Sequence, residues 1–92
     1  MLIRSLQVQN KLGIHARPAG SIVDVTSKAS SDVYLIYAGT RANAKSILNI
    51  MMLAITPGSE VQFEISGDDE EQVYAQLKEL FDDRFNEESY DP

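Results

Sequence analysis

The 92 residues contain no cysteine and no tryptophan, and histidine occurs once, as His15. Without cysteine there is no disulfide framework and no thiol chemistry. One histidine leaves too few ligands for a structural zinc site, so neither a metal nor a cofactor is expected. Cations are also scarce: 8 Lys and Arg stand against 14 Asp and Glu, a net charge of −6. Nucleic acid needs clustered Lys and Arg, and an anionic membrane attracts them, so neither partner fits. The longest unbroken apolar run, Ile50 to Ile55, is far below the roughly 20 residues that span a bilayer. Met1-Leu2-Ile3-Arg4-Ser5 lacks the apolar core of a signal peptide, which makes the cytoplasm the expected location.

What is present suits one small fold. Apolar residues make up 43% of the chain, an ordinary share for a globular protein. A chain of this length buries roughly 60–65% of its unfolded surface, enough for a modest core without metal or disulfides. We expect a single domain over residues 1–85, followed by an acidic, polar, frayed tail over 86–92.

Periodicity divides the domain. Leu2, Leu6 and Val8 share one parity and predict a strand over 2–8. Ala16, Ala19, Ile22, Val23 and Thr26 recur at spacings of three and four and predict a helix over 16–28 with one buried stripe. Val33, Leu35 and Tyr37 alternate with only partly polar neighbours, as in a central strand covered on both faces. Ala38-Gly39 reads as a tight hairpin turn; alanine fits poorly where φ is positive, so another turn type or a strained one is expected. A short strand over 40–43 then returns. Ser46 is a preferred N-cap for a helix over 47–53. Thr56 to Ser59 is a turn, and Val61, Phe63 and Ile65 alternate strictly with polar residues. Asp68 or Asp69 caps a last helix over 70–84, with Val73, Tyr74, Leu77, Leu80, Phe81 and Phe85 as its apolar stripe. The order βαββαβα predicts an α+β fold: a two-layer sandwich with four strands and the helices on one side.

The chemistry concentrates where the first loop meets the first helix, at Leu12-Gly13-Ile14-His15-Ala16-Arg17-Pro18-Ala19. The first amides of a helix have no partner inside it, and the aligned peptide dipoles add positive potential, so a phosphate is stabilised there. Pro18 suits the first turn, where a missing N–H costs nothing. Arg17 offers a planar fork of donors for phosphate oxygens. Imidazole can act as a neutral nitrogen nucleophile near neutral pH. His15 could therefore take a phosphoryl group while the Ala16 and Arg17 amides and the Arg17 guanidinium neutralise its charge. The plain alternative is a capping or surface histidine.

Two further features read in two ways. Gly20, inside the first helix, costs about 1 kcal/mol against alanine. It is either a tolerated weak spot or a flat patch where a partner approaches. Ile47, Leu48, Met51 and Met52 make the 47–53 helix apolar on nearly every face. They are either buried core or an exposed docking patch that methionine suits by adapting its shape.

Gly13-Ile14-His15-Ala16-Arg17-Pro18-Ala19 resembles the active-site motif of HPr, the histidine-containing phosphocarrier family of the bacterial phosphotransferase system. Asn43-Ala44-Lys45-Ser46-Ile47 resembles the family's second motif. The resemblance covers about residues 3–85. It implies an open-faced sandwich of four antiparallel strands under three helices. It implies a phosphocarrier, not an enzyme, with His15 phosphorylated and Arg17 on the phosphate. Enzyme I, charged by phosphoenolpyruvate, would be the donor, and an enzyme IIA domain serving sugar uptake or regulation the acceptor. Ser46 would be the target of an HPr kinase/phosphorylase where one exists; otherwise it is simply an N-cap. A monomer is expected. Ala38, Gly20, Asn49 and Met52 depart from commoner members, and the chain looks closer to the regulatory, nitrogen-related branch. The rivals are a regulatory docking module switched by phosphorylation, a purely structural adaptor, and a stand-alone enzyme. The last lacks an adjacent nucleophile and base or room for an enclosed pocket.

Overall fold

The computed structural model describes residues 1–90. Strand β1 (Leu2–Gln7) leads to helix α1 (Ala16–Thr26), then to the hairpin β2 (Asp32–Tyr37) and β3 (Thr40–Asn43). Helix α2 (Ile47–Met52), strand β4 (Glu60–Ser66) and helix α3 (Glu70–Asp82) follow. The four strands form one sheet in the order β1-β4-β2-β3, and every neighbouring pair is antiparallel. β4 thus separates β1 from β2. Its register sets Phe63 opposite Arg4 on one side and Leu35 on the other. Leu2, Leu6, Val33, Leu35, Val61, Phe63 and Ile65 are buried on one face and form a single core with Ala19 and Ile22 of α1, Ile50 of α2 and Val73, Leu77 and Phe81 of α3. Each such large side chain, fully buried, stabilises the fold by roughly 1.5–3 kcal/mol. The α+β sandwich read from the sequence is therefore the observed fold.

Its departures from expectation are local. The buried stripe of α1 is Pro18, Ala19, Ile22 and Thr26, whereas Ala16 is exposed. Ala16 lies in the opening turn, which sits at the surface beside His15. The helix stops at Thr26, whose hydroxyl donates to the Ala44 carbonyl at 2.7 Å. The Ala38-Gly39 turn is the strained alternative, with φ of 51° and 81°. A non-glycine residue there costs about 1–2 kcal/mol. The mixed alternation of β2 has a cause on the open face of the sheet. There Tyr34 is half-buried under Arg41, whose guanidinium lies 3.5 Å from the ring centroid and donates to Glu64 at 3.0 Å. In α2 only Ile50 is buried; Ile47, Leu48, Met51 and Met52 are exposed, which removes the buried-core alternative.

Asp69 takes the N-cap position of α3, but its carboxylate does not cap the helix. It accepts instead from the Ser31 hydroxyl and from the amides of Ser30 at 2.9 Å and Ser31 at 3.0 Å, tying α3 to the start of β2. The Ser31 hydroxyl first, and then the Ser30 amide, hold this carboxyl down at about 2.

The largest departure is at the end of the chain. α3 stops at Asp82, not 84, and Arg84, Phe85 and Asn86 follow with φ of 54°, 52° and 59°. Asparagine tolerates this left-handed backbone; arginine and phenylalanine do not favour it. Burial of Phe85 offsets the strain: its ring meets the Phe81 ring at a 4.8 Å centroid distance. The turn sends the tail back across the molecule. Ser89 bridges to Asn10, the Lys11 amide donates to the Glu88 carbonyl at 2.7 Å, and the Tyr90 amide donates to the Gln9 carbonyl at 2.6 Å. Residues 86–90 are therefore docked, not frayed as their composition implies; residues 91 and 92 of the expected tail lie outside the described residues. Among the described residues no helix is long and apolar enough to cross a membrane.

Two predictions follow from these contacts. A carboxyl held low in the folded state stabilises it above the unfolded value, about 3.9, and that contribution disappears as pH falls towards 2. Asp69→Asn is therefore less stable than the parent above about pH 4, with the gap closing towards pH 2 in urea titrations. Phe85→Ala costs about 3 kcal/mol and releases the tail, which limited proteolysis reads as new cleavage beyond residue 82.

Candidate functional site at the opening of helix α1

The loop that delivers His15 is built from residues that allow little choice. Asn10 is fully buried and its Nδ2 donates to the Gly13 carbonyl at 2.6 Å. Gly13 has φ of 71°, and a Cβ there would sit 2.6 Å from the Ile55 carbonyl oxygen. Only glycine satisfies both the left-handed backbone and the close approach. The next amide, of Ile14, donates to that same Ile55 carbonyl at 3.2 Å, and the Ile14 side chain is buried. The chain reaches His15 pinned to the α2–β4 connection.

His15 is the N-cap residue of α1, in extended backbone, and its own carbonyl accepts from the Ala19 amide at 3.0 Å. Its side chain makes no capping bond, so the opening amides are left for another acceptor. The expected positions of His15, Ala16 and Arg17 at a helix opening are the observed ones. Arg17 is exposed and joins His15 in a surface cleft of about 510 Å³, lined by Lys11, Leu12, Asn86, Glu87 and Glu88 as well. Gly20 lies one turn further along α1, and a Cβ there would meet nothing within 4 Å. α1 packs on α2, whose Ile47, Leu48, Met51 and Met52 are exposed, as is Leu12 at the cleft. Ser46 does not line the cleft. It caps α2: its Oγ accepts from the Asn49 amide at 3.2 Å and from Asn49 Nδ2 at 2.8 Å.

One partner of His15 is invisible in the sequence pattern. The ring Nε2 lies 2.7 Å from Glu87 Oε2, 72 positions along the chain. A carboxylate offers only acceptors, so Nε2 carries the proton and donates it. Glu87's second oxygen, Oε1, accepts from Asn10 Nδ2 at 3.0 Å. The Asn10 amide thus faces two acceptors, which fixes its orientation and leaves its Oδ1 buried without a partner among the described residues. The Glu87 side chain is only 9% exposed, against 37% for His15, so the carboxylate is sheltered while one edge of the ring meets solvent. Among the described residues no group of three or more His, Asp or Glu is placed to hold a metal ion.

Comparisons with known proteins agree with this geometry. The family described as the PTS HPr component phosphorylation site matches residues 3–83. The phosphocarrier protein HPr of Xylella fastidiosa (strain Temecula1) is 43% identical over 89 residues, covering 97% of this chain and all of that protein. That of Treponema pallidum (strain Nichols) is 38% identical over 88 residues, covering 96% of this chain and all of the relative. The crystal structure of HPr-C-His from Thermoanaerobacter tengcongensis superposes with a TM-score of 0.91 at 39% identity, covering 96% of this chain and 99% of that one. Fold, motif and full-length similarity converge, and the chain belongs to the HPr family, the phosphocarriers of the phosphotransferase system.

Proposed function

We propose that His15 is the residue that takes and returns the phosphoryl group, in exchange with the phosphotransferase-system enzymes that partner this family. The observation that carries this reading is the N-cap position of His15, its ring partly open to solvent in a cleft shared with Arg17. The proposed donor is Enzyme I charged by phosphoenolpyruvate, and the proposed acceptor is an enzyme IIA domain. With the proton on Nε2, the lone pair of the neutral ring is on Nδ1, which makes Nδ1 the nucleophile. The Ala16 and Arg17 amides and the Arg17 guanidinium then receive the phosphoryl oxygens. These contacts neutralise charge without adding a covalent bond, so the group remains transferable.

Partner docking is assigned to Gly20 with Ile47, Leu48, Met51 and Met52, beside the site. Exposed methionines accommodate two different partners in turn. Ser46 is the proposed target of an HPr kinase/phosphorylase. Its modification adds about −1.5 to −2 charges next to that patch and opposes an acidic partner surface. One chain carries the whole site, so a monomer working in the cytoplasm is the proposed form. No observation favours the docking-module rival over the carrier.

Incubation with phosphoenolpyruvate and Enzyme I labels the parent chain and leaves His15→Ala unlabelled; a labelled His15→Ala overturns the assignment. Arg17→Ala keeps its circular dichroism and melting behaviour but transfers roughly tenfold more slowly, the loss of one charged hydrogen bond. Met52→Asp raises the KM for Enzyme I while kcat stays within about twofold, as expected for a contact made equally in ground and transition states.

A further inference from the structure

The contact between Glu87 and His15 joins residues 72 positions apart, and other contacts already hold the tail in place. Phe85 already anchors the turn in the core, and the backbone bonds of residues 88–90 already hold the tail against residues 9–11. Between these anchors Glu87 turns inward and is sheltered, while its neighbour Glu88 remains exposed. Both of its oxygens are used: Oε1 by buried Asn10 and Oε2 by His15. A carboxylate held from behind by an amide, and holding a histidine N–H in front, has the arrangement by which a third group orients a reacting histidine and stabilises its cation.

We propose that Glu87, held by Asn10, is a positioning residue for phosphoryl transfer; this rests on the reading of His15 as the phosphoryl acceptor. In the forward step the Nδ1 lone pair forms the N–P bond. The bond from phosphorus to the donor breaks, and its electron pair stays on the donor. The Nε2 proton stays on the ring, which becomes positively charged as Nδ1 gives up its pair. Glu87 meets that charge at 2.7 Å, before the partner arrives and without rearrangement. In the onward step the N–P pair returns to Nδ1, the ring becomes neutral, and the proton is still on Nε2. The same carboxylate therefore serves both directions. In the neutral ring it also holds the proton on Nε2, which leaves the Nδ1 lone pair free.

The test uses the full chain with Glu87→Ala and Glu87→Gln, both alongside the parent. Ring 15N shifts of unphosphorylated His15 are recorded first, because they report the Glu87 contact whether or not His15 is the acceptor. Glu87→Ala shifts the Nε2 and Nδ1 resonances towards a mixture of tautomers, and Glu87→Gln, which retains an acceptor oxygen, stays close to the parent. Transfer from phosphorylated Enzyme I is then measured. Glu87→Ala lowers kcat roughly tenfold with KM within about twofold, and Glu87→Gln falls between it and the parent, since it keeps the tautomer and loses the charge. An unchanged kcat in Glu87→Ala, or a lowered kcat with unmoved ring nitrogens, overturns the proposal. A failure of the His15 assignment itself shows separately, as a labelled His15→Ala or an unlabelled parent chain.

Discussion

The geometry at His15 depends on one backbone constraint: the chain must turn left-handed at Gly13 while passing within contact distance of the Ile55 carbonyl. No other residue combines that φ with that approach. The constraint fixes the loop to the segment between α2 and β4, and so to the sheet. Ile14 is drawn inward, and His15 arrives at the helix opening with its ring at the surface. From there the helix follows ordinary rules. Pro18, Ala19, Ile22 and Thr26 bury one stripe against the sheet, and the opening turn stays exposed. The core stabilises the protein, but its consequence for chemistry is to hold a set of unpaired amides still.

Much of this is legible in the sequence. Hydrophobic periodicity is a direct record of which face is buried, so strict alternation in β4 and the three-four spacing in α1 and α3 located those elements to within about two residues. The motif around His15 was equally readable, because each of its residues has a local reason to stand at a loop-to-helix junction. Exposure of the α2 patch followed from counting faces: a small domain cannot bury a helix on all sides.

What was not legible depends on contacts between distant residues. The tail is polar and acidic, which taken locally means fraying; only Phe85, docked on Phe81, betrays that it returns. Even so, Phe85 read as the last turn of α3, because its spacing continues the helical stripe. The left-handed turn at 84–86 runs against the preferences of arginine and phenylalanine, so no propensity could announce it. Asp69 stands at a cap position yet serves Ser30 and Ser31, a choice fixed by the approach of two elements. Glu87 and Asn10 could not be assigned from sequence for the same reason. Their partner is set by the fold, and neither position carries a periodic or compositional signal.

The account centres on a histidine whose Nε2–H is held by Glu87 and whose Nδ1 takes the phosphoryl group. The most direct measurement is a long-range 1H–15N and 31P NMR spectrum of the phosphorylated chain, which identifies the ring nitrogen bonded to phosphorus. The account predicts phosphorus on Nδ1 with Nε2 still protonated. Phosphorus on Nε2, or no phosphorus on the imidazole, would contradict it.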